Sequence, residues 1–160
     1  MENTNTPTSL PTPTTAAPTT LGILKQPQNG TQRIYKVMVV DDEPDAREIF
    51  FDILSSIPNI EVSTAVDGKD CLAKAEATKF DVILLDIVMP NVDGIQVLTD
   101  LLSDKTRYGN PRITMLTNMG GDLAVEEALR IGAVGYKVKI DTEPDQLVQL
   151  VQDEIAKLEE

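Results

Sequence analysis

The feature of this sequence that most constrains the fold is a regular alternation, starting at Tyr35, between short apolar runs and segments with helical periodicity. This alternation is typical of βα units whose strands form a parallel sheet with helices on both faces. The predicted strands are Tyr35–Val40, Ile60–Ala65, Asp81–Leu85, Ile113–Leu116 and Ala133–Val138. The predicted helices are Asp45–Ile57, Lys69–Thr78, Ile95–Leu102, Leu123–Ile131 and Pro144–Leu158. Five such units predict an α/β fold, a doubly wound three-layer (βα)5 sandwich with a five-stranded parallel sheet.

The apolar content of the strands indicates their positions in the sheet. The first and third predicted strands are apolar almost throughout, as expected of central strands that are covered on both faces. The second predicted strand is more polar, which predicts a sheet edge. On the second helix, Cys71 is predicted to be a small core residue. On the first helix, we expect most of the apolar side chains to face the core, and these are Phe50, Phe51, Ile53 and Leu54.

Residues 1–33 differ in composition from the rest of the chain. They hold five of the ten prolines and nine threonines, and their only charged residues are Glu2, Lys25 and Arg33. Such a segment cannot bury enough apolar surface to offset its ordering entropy, which predicts a disordered N-terminal tail. We expect a passive extension, with docking or tethering as the alternative. Residues 34–160 are then one folded domain, and because the sequence stops after the fifth helical pattern, we expect a stand-alone domain.

Charge and residue usage exclude several classes of function. The net charge of -12 argues against direct binding to nucleic acid, which relies on clusters of Lys and Arg. One cysteine and no histidine exclude a disulfide framework, a zinc site and His-based catalysis. Any bound metal should be a hard cation held by oxygen ligands. No apolar stretch approaches the ~18 residues that a membrane span needs, which predicts a cytoplasmic protein without membrane insertion.

Carboxylates follow the first and third predicted strands. Asp41 and Asp42 come directly after strand one, and Asp86 comes directly after strand three. Because the carboxyl ends of parallel strands meet at one edge of the sheet, we expect the three carboxylates to converge there. Like charges at this distance repel, so the cluster indicates a divalent cation, and an open site of this kind suits Mg²⁺. The alternative is that Asp41 and Asp42 cap the helix that begins near Pro44.

A hydroxyl and an ammonium group follow the fourth and fifth predicted strands. Thr117 comes directly after strand four and Lys139 directly after strand five. Both kinds of group bind phosphoryl oxygens. Taken singly, Thr117 could cap a helix and Lys139 could be solvated. Their occurrence together with three carboxylates at one sheet edge indicates phosphoryl chemistry supported by a cation.

Four runs of residues occur in the order and spacing of a known family, and these are Val39–Glu43, Leu84–Gly94, Leu116–Thr117 and Gly132–Lys139. The most specific signal is the pattern Asp-x-x-Met-Pro-x-x-Asp-Gly, which begins at Asp86. From about Ile34 to Leu158, the chain resembles the receiver domain of two-component response regulators, of the stand-alone, chemotaxis-regulator-like type. The resemblance implies a flavodoxin-like fold with strand order 2-1-3-4-5.

The resemblance also implies the roles of the acidic residues. Asp86 would be the phosphoacceptor, a carboxylate nucleophile that forms 4-aspartylphosphate. Asp42 would bind Mg²⁺ directly and Asp41 largely through water. The backbone carbonyl of Val88 would complete the protein ligands. The protein would be a signalling phosphoprotein that catalyses its own phosphorylation, and not an enzyme with a separate substrate.

The remaining roles implied by the resemblance concern the phosphoryl group and the signal. Thr117 would hydrogen-bond a phosphoryl oxygen, and Lys139 would pair with the phosphate. Displacement of Thr117 and inward rotation of Tyr136 would form the switch. A sensor histidine kinase or histidine phosphotransfer protein would donate the phosphoryl group. The output would be contact with an unknown downstream protein, or homodimerisation through the face from helix four to helix five.

Several positions depart from the common pattern of the family. Ile140 follows Lys139 where proline is usual, so we expect a trans loop that could place the lysine differently. Asn118 stands where a small residue is usual, and its amide could either donate to the phosphoryl group or narrow the entrance. Val88 and Met119 occupy the two positions that, in this family, tune hydrolysis of the aspartyl phosphate. Neither side chain can orient a water, which predicts slow autodephosphorylation.

Two alternatives belong to other classes of protein. The first is a degenerate receiver that acts as a phosphorylation-independent binding module, and such a protein would normally have lost one of the acidic residues, the acceptor or the lysine. The second is a Mg²⁺-dependent phosphohydrolase with an aspartate nucleophile. Such an enzyme would require a second acidic residue two positions beyond the nucleophile, where this sequence has Val88.

Overall fold

Residues 30–118 and 123–160 are described by the structure, a computed structural model. Most of the predicted N-terminal tail (1–33) and Met119 therefore lie outside the described residues. The described helices and strands all belong to the unit Gln32–Glu160. Among the described residues, no helix is long and apolar enough to cross a membrane.

Five parallel strands form one sheet in the order β2-β1-β3-β4-β5. The strands are β1 (Tyr35–Val40), β2 (Ile60–Ala65), β3 (Val82–Asp86), β4 (Arg112–Thr117) and β5 (Gly135–Val138). The predicted doubly wound α/β fold and the order 2-1-3-4-5 are confirmed. The apolar β1 and β3 are central strands and the more polar β2 is an edge, as their compositions predicted.

Five helices of nine or more residues cover the two faces of the sheet. They are α1 (Pro44–Ser55), α2 (Gly68–Ala77), α3 (Gly94–Ser103), α4 (Leu123–Ile131) and α5 (Pro144–Leu158). A one-turn helix, Lys105–Tyr108, follows α3, and a 3₁₀ turn, Lys139–Asp141, follows β5. Neither short piece was predicted from the sequence.

Short polar side chains set the starts of two of these helices. Asp67 accepts a hydrogen bond from the backbone N–H of Asp70 at the start of α2, at 2.8 Å. Asp93 does the same for Gln96 at the start of α3, also at 2.8 Å. These bonds satisfy N–H groups that have no partner within a first helical turn. The start of α3 is thereby fixed directly after the loop that leaves β3.

Two apolar layers form the core, one on each face of the sheet. Alternate residues of the central strands, such as Met38 and Ile83, face the layer that α2, α3 and α4 complete. Their neighbours, such as Val39 and Leu84, face the layer under α1 and α5. Cys71 is buried in the first layer, as predicted. Central strands with both faces covered hold the carboxyl ends of β1 and β3 in fixed positions.

Most of the apolar side chains of α1 face the core, as predicted, and Phe51 is the exception. Phe50 and Leu54 are buried, but Phe51 is 39% exposed. The reason is geometric, because Phe51 lies on α1 beside the outer edge of β2, where no further strand of the described chain covers it. An apolar side chain at a sheet edge cannot be distinguished from a core residue by helical spacing alone.

The beginning of β1 and the end of α5 are joined at the amino-terminal edge of the sheet. The Tyr35 hydroxyl donates a hydrogen bond to the carboxylate of Glu159. Arg33 forms an ion pair with Asp81 at 2.6 Å, and the same carboxylate accepts from the backbone N–H of Lys36 at 2.9 Å. These contacts lie at the opposite end of the strands from Asp86.

Candidate functional site

Three carboxylates converge at the carboxyl ends of β1 and β3, where the sequence placed them. Asp41 follows β1 and Asp86 is the last residue of β3, and the two strands are neighbours in the sheet. One oxygen from each of Asp41, Asp42 and Asp86 lies within 4.8 Å of the others. Asp41 is fully buried, Asp86 is 3% exposed and Asp42 is half-buried. The site is therefore a small acidic pocket that opens on the side of Asp42.

Lys139 reaches this pocket from the 3₁₀ turn after β5. Its Nζ lies 2.7 Å from Asp41 Oδ2 and 2.9 Å from Asp86 Oδ2. The side chain of Lys139 is only 7% exposed. No peptide bond in the described residues is cis, so the loop at Ile140 is trans, as expected. Replacement of the usual proline by Ile140 has not moved the lysine away from the carboxylates.

Burial and charge together perturb the ionisation of this pair. Burial raises the pKa of Asp86 above its ordinary value, and the hydrogen bond from Lys139 only partly opposes this rise. Burial lowers the pKa of Lys139, but hydrogen bonds to Asp41 and Asp86 outweigh it and raise the pKa above the ordinary value. The lysine therefore stays an ammonium ion and compensates part of the negative charge.

The charges and the donor atoms of the pocket fit a hard divalent cation. Three carboxylates and one ammonium leave a formal charge of -2 when all are ionised, which is the charge that one divalent ion neutralises. The donors are oxygens, which suit Mg²⁺. Asp42 is the least buried of the three carboxylates.

Backbone N–H groups fix the orientation of the two buried carboxylates. The N–H of Glu43 donates to Asp41 Oδ1 at 3.0 Å. The N–H of Val88 donates to Asp86 Oδ1 at 3.2 Å. The capping position of α1 is occupied by Glu43, whose side chain makes no capping bond. The alternative in which Asp41 and Asp42 serve only as helix caps is therefore not what the structure shows.

Two further residues hold the site together and were missed from the sequence. Arg47, one turn into α1, donates from Nη1 to the backbone carbonyl of Asp41 at 2.8 Å. Gly94 lies against the strand end, since a Cβ there would lie 2.1 Å from the carbonyl oxygen of Asp86. Gly94 is the last residue of the sequence pattern that begins at Asp86, so the pattern could have identified it as a site residue. Arg47 had no such signal.

The other predicted site residues lie around the pocket with different degrees of exposure. Thr117 is the last residue of β4 and is 5% exposed. Tyr136 is on β5 and is 42% exposed, while Asn118 is exposed at the surface. Val88 is 71% exposed and Ile140 is 81% exposed. The structure thus brings Lys139 into contact with the carboxylates, whereas Tyr136 and Val88 present much of their side chains to solvent.

Comparisons with known proteins agree with this geometry. Residues 37–152 match the family described as "Response regulator receiver domain". The chain is 38% identical over 118 residues to the uncharacterized transcriptional regulatory protein YxjL of Bacillus subtilis, covering 73% of this chain and 52% of that protein. It is 40% identical over 106 residues to protein-glutamate methylesterase/protein-glutamine glutaminase 3 of Vibrio cholerae, covering 65% of this chain and 28% of that protein. The chain therefore spans about half or less of the length of these curated relatives.

Solved structures show the same fold. The chemotaxis response regulator CheY4 of Vibrio cholerae has a TM-score of 0.68 and 32% sequence identity, covering 76% of this chain and 98% of that chain. The response regulator domain of Thermotoga maritima CheB has a TM-score of 0.65 and 32% identity, covering 78% of this chain and 96% of that chain. With the acidic pocket at the strand ends and the match over residues 37–152, the chain belongs to the receiver domain family of two-component response regulators, in which aspartate phosphorylation and Mg²⁺ binding are general.

Proposed function

We propose that this chain accepts a phosphoryl group on Asp86 from the phosphohistidine of a sensor histidine kinase or a phosphotransfer protein. The phosphorylated form then signals through contact with a downstream protein. The observation that carries the proposal is the buried contact of Lys139 Nζ with both Asp41 and Asp86, at 2.7 and 2.9 Å. A binding module with no phosphoryl chemistry has no need of a buried ammonium between two carboxylates.

The proposed transfer uses the two oxygens of Asp86 differently. Oδ1 accepts a hydrogen bond from the N–H of Val88, and Oδ2 faces Lys139. A new bond forms between one carboxylate oxygen and phosphorus while the bond from phosphorus to the donor histidine nitrogen breaks, and the imidazole takes up a proton. Lys139 already lies where it can pair with the negative charge that arrives with the phosphoryl group.

Positioning and charge neutralisation supply the catalysis in this proposal. Asp41, Asp42 and the backbone carbonyl of Val88 would hold Mg²⁺, which would neutralise phosphoryl oxygens during an in-line displacement. Thr117, at the end of β4, would hydrogen-bond another phosphoryl oxygen. The fixed carboxylates need no rearrangement before the reaction, because backbone N–H groups already orient Asp41 and Asp86.

The signal in this proposal leaves the site through the neighbouring strand ends. Thr117 would shift toward the phosphoryl group, and Tyr136 would turn inward from its present exposed position. Both residues lie next to the surface formed by α4, β5 and α5, which we propose as the contact surface for the downstream protein. Homodimerisation through the same surface stays a prediction.

The experiment is phosphorylation by acetyl phosphate with Mg²⁺, followed by intact mass measurement. We expect one added phosphoryl group on the unsubstituted chain, none on Asp86→Asn and none when EDTA removes the metal. Asp153→Asn, at an exposed position on α5 far from the pocket, is the matched control and should be phosphorylated normally. Phosphorylation of Asp86→Asn to the normal extent would show that another residue is the acceptor. An unmodified wild-type chain would favour the phosphorylation-independent binding module.

A further inference from the structure

The outer edge of β2 exposes backbone groups of alternate residues. Hydrogen bonds from Tyr35 N to Asn59 O and from Asp41 N to Ala65 O bracket the ladder between β1 and β2. The residues of β2 with odd numbers therefore turn their N–H and C=O groups toward β1. Ile60, Val62 and Thr64 turn theirs outward. Within the residues that the structure describes, no strand pairs with this side of β2.

A pair of side chains from α2 occupies the upper end of this edge. Lys74 Nζ donates to the carbonyl oxygen of Thr64 at 2.6 Å, and Asp70 Oδ2 accepts from the N–H of Val66 at 3.0 Å. The two side chains are themselves an ion pair at 2.8 Å. Together they take the place of one residue of a neighbouring strand. The outward groups of Ile60 and Val62 and the N–H of Thr64 have no such partner among the described residues.

Cavities flank the open part of the edge. One of about 440 Å³ runs along β2 between Phe51 of α1 and the end of α2 at Ala77 and Thr78. A second of about 390 Å³ continues it along α1 from Phe51 to Arg47. Phe51 is apolar and 39% exposed at the rim of both cavities. An added strand would find hydrogen-bonding groups in the plane of the sheet and space for its side chains on either side.

A second copy of β2 can meet this edge in three antiparallel registers that use at least two outward residues of each copy. The first places Val62 opposite Val62 of the second copy, and the next places Val62 opposite Thr64. Both registers need the carbonyl oxygen of Thr64, which Lys74 occupies. The third places Ile60 opposite Val62 and leaves the carbonyl of Thr64 aside. In that register Glu61 lies directly opposite Glu61 of the second copy, where two like charges repel.

We propose that the outer edge of β2 is a surface for antiparallel pairing with a second copy of this chain, held closed by Lys74 and Glu61. The occupant follows from complementarity, because the same row of donors and acceptors on two copies matches itself under a two-fold rotation. Lys74 opposes the first two registers, and Glu61 opposes the third. An unprotected strand edge is a common site of non-native pairing between chains. Charged side chains, especially Lys, commonly protect such edges.

The experiment compares the association state of four proteins by sedimentation equilibrium up to millimolar concentration. They are the unsubstituted chain, Lys74→Met, Glu61→Gln and the double variant. We expect the unsubstituted, unphosphorylated chain to be monomeric. Lys74→Met should dimerise through one of the two registers that it opens, and Glu61→Gln through the third. The double variant should bind a second copy at least roughly tenfold more tightly than the unsubstituted chain, since one bond to a charged donor and one like-charge contact are gone.

Val62→Pro is the control that identifies the surface. Proline removes the outward N–H of Val62 but leaves the ladder to β1, which uses Glu61 and Ser63. Added to the double variant, it should restore the monomer. A dimer that survives Val62→Pro uses another surface and overturns the proposal, and so does a double variant that remains monomeric. Dimerisation of the unsubstituted chain through β2 would overturn the role assigned to Lys74 and Glu61.

Cysteine pairs identify the register. A mixture of Glu61→Cys and Ser63→Cys proteins, both also carrying Lys74→Met, should form a disulfide between positions 61 and 63 when Val62 faces Val62. A disulfide between two copies of position 61 reports the register that Glu61 normally blocks. The native Cys71 is buried and does not compete. A disulfide between two copies of position 63 reports the register with Val62 opposite Thr64. Absence of all three disulfide-linked dimers would contradict antiparallel pairing of β2.

Discussion

At the scale of single residues, Gly94 decides how closely α3 can approach the proposed phosphoacceptor. A Cβ at this position would lie 2.1 Å from the carbonyl oxygen of Asp86 and 2.8 Å from Cα of Ile87, and both are backbone atoms that cannot turn away. We expect Gly94→Ala to lower the free energy of unfolding by about 1–3 kcal/mol and to impair phosphorylation of Asp86. Urea unfolding and acetyl phosphate labelling measure the two effects. Gly135→Ala is the control, since its Cβ would meet nothing within 4 Å.

A second residue-scale prediction concerns the lifetime of the phosphorylated form. Val88 presents an apolar side chain that is 71% exposed beside Asp86, and it has no group to hold a water for attack on phosphorus. We expect the purified protein, freed of acetyl phosphate, to retain its phosphoryl group for minutes or longer by intact mass. Val88→Asn should shorten this lifetime, because an amide can orient water. Loss of the phosphoryl group from the unsubstituted chain within seconds would contradict the prediction.

Cys71 gives a residue-scale test of the core. Its side chain is fully buried, and burial raises the pKa of its thiol to about 12. The thiolate is the reactive form, so we expect no reaction with iodoacetamide at pH 8 in the folded protein and complete reaction in urea. Ser55→Cys, on the exposed surface of α1, should react in both conditions. Rapid alkylation of native Cys71 would mean that the layer under α2 opens readily.

At the scale of elements, Glu154 ties α5 to β4. Its carboxylate is 4% exposed and accepts from Arg112 and from Lys157, the latter at 2.8 Å. Burial raises the pKa of Glu154, but the hydrogen bonds to these two cations outweigh it and lower the pKa below the ordinary value of 4.5. A lowered pKa in the folded state means that the carboxylate stabilises the fold above about pH 4.5. This stabilisation is lost as the pH falls through the folded pKa.

We therefore expect Glu154→Gln to lower the free energy of unfolding by about 1–3 kcal/mol at pH 7, because Arg112 loses a charged partner. The difference from the unsubstituted chain should shrink as the pH falls from about 4.5 through the lower pKa of folded Glu154, because the carboxylate is then protonated. Urea unfolding at a series of pH values measures it. Asp153→Asn, the exposed neighbour on α5, should show no comparable change. A pH-independent difference would show that packing, not charge, is what the substitution disturbs.

The elements also show which parts of the fold could be predicted and which could not. β1 and β2 begin and end where the sequence placed them, because their apolar patterns differ clearly from the flanking turns. β3 ends one residue later than predicted, because Asp86 is charged and still buried. Its burial depends on Lys139, which lies 53 residues further along the chain. No local pattern reports such a partner.

The one-turn helix at Lys105–Tyr108 was missed for a similar reason. A single turn has too few residues for a helical period, and this one depends on Asp104, which accepts from the N–H of Arg107 at 2.9 Å. In the site, residue types predicted the convergence of the carboxylates. The double contact of Lys139 and the bond from Arg47 to the backbone of Asp41 could not be predicted, because they depend on side-chain reach in three dimensions.

At the scale of the whole molecule, all described helices and strands and both apolar layers lie in the unit Gln32–Glu160. We propose that this unit folds and functions by itself. A chain that starts at Gln32 should unfold in one cooperative transition and be phosphorylated on Asp86 as the full chain is. Circular dichroism and acetyl phosphate labelling test this. A large loss of stability on removal of residues 1–31 would show that the predicted tail is not passive.

The hydrogen bond from Tyr35 to Glu159 brings the first residue of β1 next to the residue that follows α5. The two ends of the folded unit are therefore neighbours, at the opposite end of the strands from the carboxylate pocket. A circular permutant, with these ends joined by a short linker and new ends opened at the exposed Asn110, would keep every strand beside the same neighbours. It would change only the sequence separation of the paired strands. The pocket depends on which strands are neighbours in the sheet, and it does not depend on the order in which the chain connects them.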